Sequence, residues 1–227
     1  MTTAPKPKVL VCDDEQQILR ALRVILRDAG YEALPASSVE EALDVAAVGR
    51  PDAAIIDLLL PDGDGIELCR RLREWTAIPV IVLSAVGEEE PKVRALAAGA
   101  DDYIVKPFAP RELVARLEAN LRRARAGGDD EGPLVSGDLT VDLARHVVAV
   151  GGSEVHLTPT EFELLRELVK NRGRLLTHRE LLRAVWGTAY DDDTQVLRAH
   201  MANLRRKIGL TGRLIKTEPG IGYRFEP

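Results

Sequence analysis

Five side chains in this sequence could carry out phosphoryl chemistry if folding brought them together. Asp13 and Asp14 directly follow the run VLVC, Asp57 ends AAIID, Ser84 lies in PVIVLSA, and Lys106 comes just after DDYIV. Three crowded carboxylates need a cation, and a set of oxygen ligands suits Mg2+ (or Mn2+), completed by water and phosphate oxygens. A hydroxyl and an ammonium at the same place would hold phosphoryl oxygens. A carboxylate can then attack phosphorus to give an aspartyl phosphate, while metal and lysine neutralise the transferred charge. Taken singly, each acid could instead cap the helix that follows it, and Lys106 could be a solvated lysine. A Mg2+-dependent phosphatase or phosphotransferase acting on a small molecule would use the same groups, but the sequence offers no cap or substrate domain for one.

The elements that must position these residues are legible in the hydropathy pattern. VLVC, AAIID, PVIVLSA and DDYIV are nearly continuous apolar runs, as in strands buried on both faces of a parallel sheet, and YEALPA fits as a weaker strand between the first two. Amphipathic stretches lie between them. In EQQILRALRVILRDAG, Ile18, Leu22, Ile25 and Leu26 form one stripe and Gly30 supplies the stop. Five strands with interleaved helices predict a doubly wound, flavodoxin-like α/β domain, whose ligands sit at the carboxyl ends of the strands. With the first and third strands adjacent, Asp13, Asp14 and Asp57 share that edge.

Residues 126–133, AGGDDEGP, are small, acidic and turn-prone, and read as a linker between a domain of residues 1–125 and one of residues 134–227. Short alternating runs follow (DLTVD, HVVAVGG, EVHLT), then helical segments from Thr158, near Thr177 and near Thr194, and LIKTEPGIGYRF as a hairpin turning at Pro219 and Gly220. This order predicts a winged helix. Up to Arg125 there are 17 Lys and Arg against 21 Asp and Glu, and from Leu134 onward 14 against 12, so only the second half is net basic, as a nucleic-acid partner would want. With 45% hydrophobic and 30% charged residues, no long apolar run and no signal-like N-terminus, a cytoplasmic protein without membrane attachment is expected. Cys12 and Cys69 read as small buried apolar residues.

In TQVLRAHMANLRRKIG, Leu197, Met201, Leu204 and Ile208 define a buried stripe. The reading places Val196, Ala199 and Asn203 on the opposite face, flanked by Arg198, His200, Arg205, Arg206 and Lys207. Such a face fits a major groove, where Asn pairs with adenine and methyl groups touch thymine. An ordinary solvated helix surface is the alternative.

VLVCDDE, IIDLLLPDGDGIEL, PVIVLSA and AGADDYIVKPF resemble, in order and spacing, the motifs of response-regulator receiver domains. TPTEFELLRELVKNRGRLLTHRELLRAVWG and GYRF resemble the winged-helix effector of the OmpR/PhoB family. LPDGDGIELCRRLREWTAIPVIVLSA, LRAHMANLRRKI and TEPGIGYRF are similar to phrases of Kdp-type regulators of potassium-uptake operons. The resemblance implies a transcription factor rather than an enzyme, with Asp57 as phosphoacceptor, Asp13, Asp14, Asp57 and the carbonyl of Leu59 as metal ligands, Ser84 and Lys106 on phosphoryl oxygens, Tyr103 as an aromatic switch, and a cis bond from Lys106 to Pro107. Its implied partners are a sensor histidine kinase, double-stranded promoter DNA, RNA polymerase and, on phosphorylation, a second copy of the chain. The dimer face would carry Lys92 with Glu112, Asp102 with Arg116, and Asp101 with Arg123. The wing would run from Thr217 to Tyr223, and Pro219 at its tip, where many relatives carry arginine, leaves Lys216 or Arg224 as phosphate contacts.

Overall fold

The computed structural model describes residues 6–84, 89–125, 133–191 and 193–227. They divide into two compact units, Met1–Leu121 and Arg122–Pro227. Of the expected linker, 126–132 lie outside the described residues.

The first unit runs β1 (Lys8–Cys12), α1 (Gln16–Asp28), β2 (Glu32–Ala36), α2 (Val39–Gly49), β3 (Ala53–Asp57), a small hairpin of β4 (Leu59–Leu60) and β5 (Gly63–Asp64), α3 (Gly65–Arg73), β6 (Val80–Ser84), α4 (Glu89–Ala97), β7 (Asp102–Val105) and α5 (Pro110–Arg125). The last turn of α5 belongs to the second unit. The sheet order is β2-β1-β3-β6-β7, all parallel. Every residue of β3 and β6 is buried, so those two runs had to be apolar on both faces. One face takes Val9, Val11, Ile55, Ile81 and Leu83 against Leu19, Leu22 and Leu26 of α1 and Leu113, Leu117 and Leu121 of α5. The stripe on α1 is centred on Leu19, Leu22 and Leu26, with Ile18 and Ile25 at its margins.

The second unit begins with β8 (Leu134–Ser136), β9 (Leu139–Asp142), β10 (Val147–Val150) and β11 (Ser153–Glu154), an antiparallel sheet of order β11-β10-β9-β8. Then come α6 (Pro159–Lys170), β12 (Leu175–Thr177), α7 (His178–Val185), α8 (Thr194–Lys207), β13 (Ile215–Glu218) and β14 (Gly222–Phe225), the last two pairing with β12 in the order β12-β14-β13. Both α6 and α7 start at threonine capping boxes. Thr158 and Thr177 accept from the amides of Glu161 and Glu180, whose carboxylates accept from the threonine amides in return. Gly222 is a steric necessity, because a Cβ there would lie 1.9 Å from the carbonyl oxygen of Leu176. Among the described residues no helix is long and apolar enough to cross a membrane. Cys12 and Cys69 are buried free thiols, and burial with Asp13 nearby pushes the Cys12 thiol up to about 12.

Candidate functional site

Because β1 pairs with both β2 and β3, the carboxyl ends of β1, β3, β6 and β7 lie along one edge of the sheet. Asp13 and Asp14 leave β1, Asp57 is the last residue of β3, Ser84 the last of β6, and Lys106 follows β7. The three acids come together: ligand oxygens of Asp13, Asp14 and Asp57 lie within 4.8 Å of one another. Asp13 is fully buried and Asp57 nearly so, while Asp14 faces solvent. Lys106 Nζ sits 2.8 Å from Asp13 Oδ2 and 3.1 Å from Asp57 Oδ2, which ties β7 to both acidic strands.

Asp13 Oδ1 accepts from the Glu15 amide at 2.9 Å, and Asp57 Oδ1 from the Leu58 amide at 2.9 Å. The Oδ2 atoms are left to the cations. Burial pushes the Asp57 carboxyl up, against the pull of the Lys106 ammonium and with Asp13 adding to the rise. Burial pulls Lys106 down, but hydrogen bonding and charge from Asp13 and Asp57 outweigh it and the ammonium is held up. Ser84 Oγ is buried and has no hydrogen-bond partner among the described residues. An unpartnered buried hydroxyl at the rim of an acid cluster fits a phosphoryl oxygen, and three carboxylates fit a hard divalent cation.

The loop that carries Leu59 is held at its base by a glycine. The Gly65 amide donates to the Leu58 carbonyl at 2.9 Å, and a Cβ on Gly65 would fall 2.0 Å from the Asp57 carbonyl oxygen. The Leu59 side chain is exposed and pairs in register with Asp64. The Lys106–Pro107 bond is cis. Tyr103 is half-buried, with Lys92 Nζ 4.9 Å from its ring centre.

Each of the three expected intermolecular charge pairs has a member with a partner inside the chain. Arg116 bonds Asp102 at 3.2 Å and Glu112 at 3.0 Å within one chain, and Asp101 is buried against Arg73 at 2.7 Å. Asp101 is therefore removed from the surface face assigned to it. Its carboxylate also accepts from the Val80 amide at 2.9 Å, a bond that ties the start of β7 to β6. In the second unit, Arg123 is buried, donates to the Val185 carbonyl at 2.6 Å and lies over Trp186, so it too is not a surface charge.

On α8 the exposed stripe differs from the expected one. Gln195, Arg198, Ala202 and Arg206 face solvent, with Ala199 and Arg205 half-exposed. Val196 and Asn203, expected on the outer face, and His200, expected to flank it, are buried at 0%, 2% and 1% exposure. The reason is angular. Each precedes a member of the Leu197, Met201, Leu204 stripe by one residue, about 100° around the helix, and the buried arc is wide enough to include both rows. His200 lies against Trp186, with ring centres 5.3 Å apart. Several cations expected on phosphates have internal partners instead. Arg205 donates to the Ile215 carbonyl and to Thr217 Oγ1 at 2.8 Å, Lys207 to Glu161 at 2.7 Å, Arg206 to Asn203 at 2.9 Å and Arg224 to Glu218 at 2.9 Å. Lys216 and Thr217 are exposed on β13.

Residues 9–118 match the family model for the response regulator receiver domain, and residues 152–225 the model for the C-terminal domain of transcriptional regulatory proteins. The chain is 50% identical to the transcriptional regulatory protein KdpE of Mycobacterium tuberculosis, over 96% of this chain and 98% of that one. It is also 50% identical to the KDP operon transcriptional regulatory protein KdpE of Escherichia coli, at the same coverage. Among solved structures it resembles the response regulator DrrB of Thermotoga maritima, an OmpR/PhoB homologue, at 30% identity and a TM-score of 0.52, covering 98% of this chain and 100% of that one.

Proposed function

The chain belongs to the OmpR/PhoB family of two-component response regulators, and on that premise we propose that it is a cytoplasmic, KdpE-like transcription factor switched by phosphorylation of Asp57. A sensor histidine kinase supplies the phosphoryl group, and the regulated promoter is that of an operon of the kind named in the Escherichia coli relative, in which the chain engages RNA polymerase. The observation that carries this reading is the convergence of Lys106 on both Asp13 and Asp57 beside the unpartnered Ser84 hydroxyl. Asp13, Asp14, Asp57 and the Leu59 carbonyl would hold Mg2+, which when bound supplies charge neutralisation on the transferred group. In the transfer an Asp57 Oδ bonds to phosphorus as the bond from phosphorus to the donor's leaving atom breaks. Lys106 holds one phosphoryl oxygen by its ammonium, the Ser84 hydroxyl donates a hydrogen bond to another, and Tyr103 reports the change as the switch residue.

Phosphorylation then favours a two-fold dimer through the face of α4, β7 and α5, where Lys92 and Glu112 remain at the surface. Promoter DNA is met by the exposed stripe of α8 and by Lys216 and Thr217 of the β13–β14 wing. Two effector domains on one dimer should occupy half-sites about 10 base pairs apart.

The reading is tested on a randomised duplex library, with full-length protein treated with Mg2+ and acetyl phosphate or left untreated. The treated protein should enrich one sequence and the untreated protein much less. Arg198→Ala should cost about 1–3 kcal/mol on the enriched site and relax preference at one base pair, whereas Lys216→Ala should weaken binding to every sequence and lower the salt slope by about one. If Arg198→Ala enriches the parent's sequence with the parent's stringency, Arg198 does not read bases. Protein that enriches nothing in either state removes the transcription-factor reading.

A further inference from the structure

We propose that Asp62 is a positioning residue for the metal: its carboxylate latches the tip of the β4–β5 hairpin to the N-terminus of α2 and thereby fixes the Leu59 carbonyl. The inference rests on the reading of the acid pocket as a Mg2+-binding phosphoacceptor site.

The first amides of a helix have no partner inside it and must find one elsewhere. In α2 the Val39 amide donates to Asp62 Oδ1 at 2.8 Å, the Glu40 amide to Asp62 Oδ2 at 3.1 Å, and the Glu41 amide to Ser38 Oγ at 3.2 Å. Two of these three amides are thus satisfied by a residue more than twenty positions away, on the loop that follows the phosphoacceptor. That loop is pinned at three levels. Gly65 closes its base on Leu58, the pairs Leu59↔Asp64 and Leu60↔Gly63 hold its middle, and Asp62 fastens its tip. Gly63 is packed so closely on α2 that a Cβ would lie 3.2 Å from Val39 Cγ2.

The anchor for the tip is itself tied to the other acids. The Asp13 amide donates to the Ala36 carbonyl at 3.1 Å, and the Cys12 thiol to the Ser38 carbonyl at 3.4 Å, so the start of α2 is held against the end of β1. Asp62 closes this circuit. Through it, the strand that supplies Asp13 and the hairpin that supplies Leu59 share one reference point. Without it the hairpin keeps its base but loses the restraint nearest its turn, and the Leu59 carbonyl moves relative to the carboxylates.

A purely structural helix cap is the competing account, and Ser38 separates the two. Ser38→Ala removes a cap from the same helix end without touching the hairpin, while Asp62→Ala removes both. Full-length parent, Ser38→Ala, Asp62→Ala and Asp62→Asn are titrated calorimetrically with Mg2+ alone, with no phosphodonor, and melted without metal. Residues that orient metal ligands from behind typically change affinity by ten- to a hundredfold. Asp62→Ala should therefore bind Mg2+ about tenfold more weakly, Asp62→Asn less so because its one oxygen can still accept from Val39, and Ser38→Ala as the parent does. Melting should fall in both alanine variants. Parent affinity in Asp62→Ala, or an equal loss in Ser38→Ala, overturns the positioning role and leaves the pocket intact. A parent chain that takes up no Mg2+ overturns the pocket reading and this inference together.

Discussion

Asp57→Asn should be recovered from Mg2+ and acetyl phosphate with no added phosphoryl group, under conditions where the parent chain carries one. The expected effect is a complete loss because the substitution removes the nucleophile while keeping its shape. The asparagine oxygen can still accept from the Leu58 amide, which Asp57 Oδ1 does at 2.9 Å. The atom replaced is the one 3.1 Å from Lys106 Nζ, and an amide nitrogen there has no lone pair to offer phosphorus and sets a donor against an ammonium. Lys106 keeps its 2.8 Å bond to Asp13, so the pocket is not left with an orphaned cation. Asp57 is also a charge that burial disfavours, and its neutralisation should not lower the melting temperature. Intact-mass measurement after a time course, with melting as the folding control, reads both. An asparagine variant phosphorylated as fully as the parent would remove Asp57 from its role.

What the sequence disclosed and what it withheld follow from the same physics. The parallel sheet was legible because VLVC, AAIID and VIVLS are buried on both faces, and continuous apolar runs leave few other options. The assembly of Asp13, Asp14, Asp57 and Lys106 followed from topology, since residues after parallel strands share one edge. Helix faces were harder. His200 and Asn203 are polar, which in a sequence suggests exposure, yet both are buried on α8 beside its apolar stripe. Residue type cannot reveal the width of a buried arc; only the neighbouring elements set it. The sequence pattern offers Arg205 and Lys207 to DNA because nothing in it shows that a long side chain reaches the β13–β14 hairpin or the cap of α6. The roles of Asp62, Gly65 and Arg73 are hidden in the sequence for a related reason. The partners of Asp62 and the Asp101 partner of Arg73 are distant in sequence, and the visible hint for Gly65 is its place in DGDG, where a backbone must pass close to another.

Arg73→Ala should destabilise the first unit by roughly 3–5 kcal/mol, the range for breaking a buried pair by removing one partner. At 1.4 kcal/mol per factor of ten, that is about a hundredfold or more in its opening equilibrium. Arg73 ends α3, and its guanidinium holds three separate features. It donates to Asp101 at 2.7 Å, to the Gly99 carbonyl at 2.9 Å and to the Ile78 carbonyl at 2.6 Å. The side chains are 9% and 0% exposed, so water cannot take over when the arginine is gone. The Asp101 carboxylate, buried and still bonded to the Val80 amide at 2.9 Å, loses its guanidinium partner, and the carbonyls lose a donor. The charge accounts for most of the cost. Adding Asp101→Asn to Arg73→Ala should therefore recover part of the stability, because the amide oxygen can still accept from Val80 without burying a charge. Arg73→Lys should fall between, since a single ammonium cannot replace the guanidinium fork. Native-state hydrogen exchange resolved to β6 reads this opening within its own unit. If Arg73→Ala exchanges within a factor of about five of the parent, which is about 1 kcal/mol, the pair is not what holds α3 and β7 to the sheet.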